Sequence, residues 1–184
     1  MTANEKRKKV VDQYKVIIGR NLYSQDSIKR ECVFTPHSDK KHYSDCSASI
    51  RWSYRKANIG LDNIGSNTIG FYTSKLGKKV DVEINKGVIS DISKLRVGDI
   101  MLFAGYDEER AAYGYCGHVE MVYSIKGDRV TICGHGSGCP SYKDLNVYCK
   151  SRYNKKTSTK LGHAGLIKVV RFIEDDPVTK KSLY

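Results

Sequence analysis

The sequence predicts a single α+β domain in which helices come first and a largely antiparallel sheet of five to six strands follows. Three observations carry this. Apolar residues recur at the helical period of about 3.6 over residues 5–18 and again over 46–58. From Val80 onward the period changes to two. The later apolar runs are short, separated by turn residues, and close with residues 166–173. The expected boundaries are a single domain over residues 1–173 and a C-terminal tail over 174–184, where Pro177 interrupts any regular element.

The first helix rests on the stripe Val10, Val11, Tyr14, Ile17 and Ile18, with Gly19 placed to end it. A polar stretch containing Pro36 then runs to Tyr43 and reads as a long loop, of the kind more often functional than idle. The second helix opens at His42-Tyr43-Ser44-Asp45-Cys46-Ser47. Ser44 or Asp45 is available to cap it, and no Gly or Pro intervenes before Asn58. Residues 59–79, rich in Gly, Asn, Ser and Thr, read as loop.

Val80-Asp81-Val82-Glu83-Ile84 alternates as a strand does. The run 99–104, the run 118–125, the turn Lys126-Gly127-Asp128 and the run 129–133 continue the sheet. The basic segment 149–161, with Lys150, Arg152, Lys155, Lys156 and Lys160 and the aromatics Tyr148 and Tyr153 beside it, reads either as a solvated loop or as an anion-binding patch.

A chain of 184 residues with 40% hydrophobic side chains can bury a core without staples. Its net charge of +12 calls for an anionic environment: cell-wall polymer, membrane surface or nucleic acid. No nucleic-acid-binding motif accompanies the charge, which makes nucleic acid the weakest of these. The basic N-terminus leads into a stretch broken by Asp12 and Lys15, without the apolar core of a signal peptide, and no segment has the length of a membrane span. The expectation is synthesis in the cytoplasm. The six cysteines, if one is a working thiol, leave an odd number, which argues against a complete disulfide framework.

Cys46 is the candidate nucleophile. At the first turn of a helix the unpaired amides and the positive end of the dipole favour a thiolate; a buried structural cysteine is the competing reading, because the same residue heads the apolar stripe Cys46, Ile50, Tyr54, Ala57. A cysteine nucleophile needs an imidazole base and a group to orient it. His118 and His135 flank the turn at Lys126–Asp128, so a hairpin sets them at the same open end of the ladder. Cys116-Gly117-His118 and Cys133-Gly134-His135 also repeat a Cys-x-His pattern, and two thiolates with two imidazoles make a zinc site the rival; the spacing is shorter than in usual zinc motifs. No metal and no cofactor is expected for the catalytic reading.

The helix ending at Gly19 with Leu22-Tyr23 after it, Asp45-Cys46-Ser47 opening a helix, Leu95-Arg96-Val97-Gly98-Asp99-Ile100 entering a strand, Gly117-His118-Val119 and the downstream His135 together resemble the NlpC family of cell-wall cysteine peptidases, which has a papain-like fold. The resemblance spans residues 5–135 with a last strand to 173. It implies a peptidoglycan hydrolase, an endopeptidase or amidase, with Cys46 as nucleophile, His118 as base and His135 as orienting residue. It further implies Tyr23 hydrogen-bonding near the nucleophile and Asp45 and Ser47 contacting the free amine of a stem peptide. The partners it implies are peptidoglycan stem peptides, with anionic wall polymers met by the basic surface. The place of action is the bacterial wall, reached after release or within a virion, as a bacteriophage endolysin or tail-associated enzyme reaches it. Two departures stand out: Ala48 where members usually carry Gly, and a longer insertion between Tyr23 and Tyr43 in place of a Gly-Gly segment. The alternatives are a peptidase, deamidase or acyltransferase acting on proteins, and a non-enzymatic basic module with a structural zinc.

Overall fold

The computed structural model describes residues 1–61, 68–106 and 116–177. The predicted loop over 59–79 and the predicted tail over 174–184 lie partly outside these residues.

Helix α1 (Ala3–Lys15) starts with a capping box in which the Thr2 hydroxyl accepts from the Glu5 amide while the Glu5 carboxylate accepts from the Thr2 amide. It buries Val10, Val11 and Tyr14, and a further turn reaches Gly19, whose positive φ of 70° ends the excursion. Helix α2 (Cys46–Lys56) is capped by Asp45 and packs along α1 through Ile50 and Tyr54. Helix α3 (Thr68–Thr73) buries Phe71, and helix α4 (Leu145–Tyr153) is capped by Asp144. Neither α3 nor α4 is predicted by the periodicity.

The strands are β1 (Leu22–Tyr23), β2 (Tyr43–Ser44), β3 (Lys78–Lys79), β4 (Ile84–Asn85), β5 (Val88–Ile89), β6 (Ile100–Ala104), β7 (Cys116–Lys126), β8 (Arg129–Gly134), β9 (Ser141–Asp144) and β10 (Leu166–Arg171). Six form the main sheet in the order β3-β10-β6-β7-β8-β9, and every pairing in it is antiparallel. The architecture is the α+β one expected. The expected strand over 80–84 is not formed: after Lys79 one last hydrogen bond, from the Val80 amide to the Val169 carbonyl, ends the contact with β10, and Ile84 turns into the separate β4–β5 hairpin.

Both sheet faces are covered. On one, α1, α2 and α3 bury Leu102, Val119, Met121 and Cys133; on the other, α4 and the β5 segment bury Met101, Phe103, Val122, Ile132 and Val169. The turn before β6 ties the layers together. Gly98 takes φ 87°, its carbonyl accepts from the Tyr54 hydroxyl of α2, and the buried Asp99 carboxylate holds Arg171 of β10 at 2.8 Å. The chain end returns to α1, where Arg7 donates to the Ile173 carbonyl and to Asp175 and the Ala3 amide bonds Asp176. Among the described residues no helix is long and apolar enough to cross a membrane.

Candidate active site

The short parallel pair β1–β2 sets the site. It registers Tyr23 against Ser44, so the Tyr23 ring arrives beside the residues that open α2. Asp45, in extended conformation, accepts the Ala48 amide at 2.8 Å, a cap that fixes Cys46 in the first turn. The Cys46 side chain faces the core and is only 5% exposed. Burial, above all, and then the Asp45 carboxylate push its thiol up to about 12, against the pull of a hydrogen bond from the Val119 backbone. The helix N-terminus was expected to favour the thiolate; burial acts in the opposite direction.

His135 follows β8 and lies on the Cys46 side of the sheet. Its Nε2 bonds the Gly138 carbonyl at 3.0 Å, so Nε2 carries the proton, and Nδ1 then accepts from the Ser44 hydroxyl at 2.8 Å. The Ser44 oxygen in turn accepts from Asn21 at 3.3 Å. The Tyr23 ring meets His135 edge-on, with centroids 5.3 Å apart. Burial lowers the His135 pKa and so favours the neutral imidazole.

His118 leaves β7 toward the opposite face, the α4 side, where its ring lies 6.0 Å from Phe103 and 6.3 Å from Tyr148. Its Nε2 bonds Glu120 Oε1 at 2.7 Å, and Lys143 donates to the same oxygen at 2.6 Å. Burial lowers the His118 pKa despite Glu120; the bonds from His118 and Lys143 hold Glu120 below the usual carboxylate range despite its own burial. Gly134 is the only residue type that fits opposite: a Cβ there would lie 2.2 Å from Glu120 Oε2.

Why the two histidines part is a matter of parity. From the turn to Ser124 the β7–β8 ladder runs in one register, and between Ser124 and Val122 it shifts by one residue, so that Met121 pairs with Cys133. Residues opposite one another share a face, and a one-residue shift exchanges the faces. His135 therefore follows Val119, not His118. A second bulge at Gly117 turns Cys116 to the α2 side. The two Cys-x-His pairs consequently do not converge, and among the described residues no group of three or more His, Cys, Asp or Glu is placed to hold a metal. All six cysteines are free thiols.

The structure thus gathers Tyr23, Asp45, Cys46, Ser47 and His135, and sets His118 behind the strand. It adds Glu120, Lys143 and Arg30, which the sequence reading did not single out, and Ser44, which that reading considered only as a helix cap. Arg30 lies in the long stretch between Tyr23 and Tyr43, in a helical turn over Lys29–Glu31, and reaches Asp45 Oδ2 and Ser47 Oγ, each at 2.7 Å. Of the basic segment, Arg152 turns inward to the Ala104 and Ala164 carbonyls, whereas Lys150, Lys155, Lys156 and Lys160 are exposed.

No protein-family model and no curated protein matches the sequence. Solved structures do resemble the fold. An NlpC protein from Trichomonas vaginalis, NlpC2, superposes with a TM-score of 0.54 at 16% identity, covering 92% of this chain and 47% of that one, so this chain spans about half of its length. The peptidoglycan hydrolase RipB from Mycobacterium tuberculosis gives 0.54 at 13% identity over 94% of this chain and 67% of its own. The P60 domain of a Mycobacterium avium subspecies paratuberculosis antigen gives 0.52 at 13% identity, over 94% and 98%. At these identities the likeness establishes the fold, the papain-like one of NlpC/P60 domains.

Proposed function

We propose that this chain is a cysteine hydrolase that cleaves peptide or amide bonds of bacterial peptidoglycan, with Cys46 as the nucleophile. The observation that carries the reading is the setting of Cys46: it opens α2 two residues after Ser44, whose hydroxyl bonds His135, and the Tyr23 ring meets the same imidazole edge-on. The likeness of the fold to a peptidoglycan hydrolase supports the substrate class.

In the proposed reaction the sulfur bonds to the substrate carbonyl carbon as the thiol proton passes to an imidazole. That proton goes on to the departing amine, and water then hydrolyses the thioester, restoring the thiol. The developing oxyanion lies at the α2 N-terminus, within reach of the Cys46 amide, and the Tyr23 hydroxyl is a candidate second donor. The base in this reading is His118, whose peptide bond to Val119 meets the sulfur; its ring lies on the α4 side of β7 with Glu120, so the role requires that stretch of strand, and not the side chain alone, to turn toward α2. His135 is the orienting residue. A second reading, favoured by His135 already lying on the Cys46 face, makes His135 the base and leaves His118 to the Glu120 network.

Rates of wall digestion for His118→Ala and His135→Ala, with folding checked by circular dichroism, separate the two. Loss of about 10²-fold or more from His118→Ala supports the first reading. Near-wild-type turnover without His118 supports the second. Cleavage of a protein panel but of no wall preparation would replace peptidoglycan as the substrate.

A further inference from the structure

Beside the thiol lies a buried carboxylate whose counter-ion comes from the chain itself. Asp45 has a side chain 5% exposed; one oxygen accepts the Ala48 amide at 2.8 Å and the Ser47 hydroxyl at 3.1 Å, and the other holds the Arg30 guanidinium at 2.7 Å. The same guanidinium nitrogen donates to Ser47 Oγ at 2.7 Å. Left alone, a buried carboxylate next to the proposed nucleophile is a seat for a substrate ammonium, because the charge needs a partner once water is excluded. Here that seat is filled.

Nor is the filling casual. The turn carrying Arg30 is capped by Asp26, which accepts the Ile28 and Lys29 amides at 3.0 and 2.9 Å. The next residue, Glu31, is ion-paired with Arg51 of α2. Lys29 lies over the Tyr43 ring at 5.2 Å. The turn is thus fastened to α2 by two ion pairs, the loop giving the cation in one and the carboxylate in the other. Withdrawing Arg30 would leave Asp45 charged and buried without compensation.

We propose that Arg30 determines specificity: it occupies the carboxylate seat beside Cys46 and restricts the site to peptides whose amino group near the scissile bond is acylated, such as stem peptides still linked to glycan. This rests on the hydrolase reading above. An approaching ammonium meets a neutralised carboxylate and a guanidinium of its own sign, whereas an acylated amine brings no charge to be desolvated.

The test uses one stem peptide in two forms, with its amino terminus free and with it N-acetylated. The wild type is expected to prefer the acetylated form by about tenfold or more in kcat/KM. Arg30→Ala, and separately Arg30→Gln, should narrow or reverse that ratio, and adding Asp45→Asn to Arg30→Ala should abolish the gain on the free amine. Binding of the two peptides to Cys46→Ala protein, followed by NMR titration, reads the preference without turnover. Wild-type preference for the free amine, or a ratio unchanged in both Arg30 variants, overturns the role of Arg30. Absent cleavage with the binding preference intact counts against the hydrolase reading alone, and absence of binding by either peptide overturns both.

Discussion

Replacing Glu120 by Ala tests the buried network most severely. The Glu120 side chain is fully buried, and its Oε1 receives both Lys143 at 2.6 Å and His118 at 2.7 Å. Without the carboxylate, the ammonium of Lys143 and the N–H of His118 lose their acceptor together. Removing one partner of a buried ion pair typically costs about 3–5 kcal/mol. Lys143 is one-fifth exposed and can turn partly to water, so the expected loss is at the lower end, about 3 kcal/mol. With a urea m-value of about 2 kcal/mol/M, that moves the unfolding midpoint down by about 1.5 M. Fluorescence of Trp52, the only tryptophan, reports the transition from α2. Exchanging both partners, Glu120→Leu with Lys143→Met, should recover most of the loss, because no charge is then left buried alone. A cost for Glu120→Ala below about 1 kcal/mol would refute the argument, since that is the range of an exposed pair.

Three further outcomes follow from the same geometry. Gly134→Ala should destabilise by about 1–3 kcal/mol in thermal melts, and should cost less in a Glu120→Ala background, where the obstructing carboxylate is gone. The folded protein should lose stability as pH falls. His118 and His135 have folded pKa values below 6.5, so protons bind the unfolded chain first once pH drops through that value; Glu120, also lowered, adds a second loss below its ordinary 4.5. Melting temperature against pH checks the sign, and a rise on acidification would contradict it. Alkylation by iodoacetamide at pH 7 should reach Cys32 and Cys139 before Cys46, because burial pushes the Cys46 thiol up to about 12 and closes it off; peptide mapping by mass spectrometry gives the order.

What was legible in the sequence is what one face or one period can record. The stripe Cys46, Ile50, Tyr54, Ala57 predicts α2, and the runs 99–104, 118–125, 129–133 and 166–173 overlap β6, β7, β8 and β10. Helix α4 escaped because its apolar residues form no single stripe, with Val147 exposed and Arg152 buried, and its second half reads as part of a basic loop; the Asp144 cap, three residues before Val147, was the signal available. Val80 to Ile84 alternates, yet the last hydrogen bond to β10 is that of the Val80 amide to the Val169 carbonyl, and period two marks a strand only where a neighbour exists. The positions of the candidate site residues along the elements were readable, their faces were not. His118 and His135 part because of one extra residue in the β7 strand near Tyr123, and composition carries no mark of a bulge. Arg30 was invisible for a different reason: an ion pair closed by a loop folding back on a helix start leaves no spacing rule between its partners.

The measurement that bears most directly on the central claim is mass spectrometry of soluble products from purified bacterial peptidoglycan incubated with the wild type and with Cys46→Ala, both shown to be folded. The account predicts new peptide fragments with the wild type alone, cut at one defined bond. The same fragments released by Cys46→Ala would contradict it, because the reaction would then proceed without the sulfur on which the proposed chemistry depends.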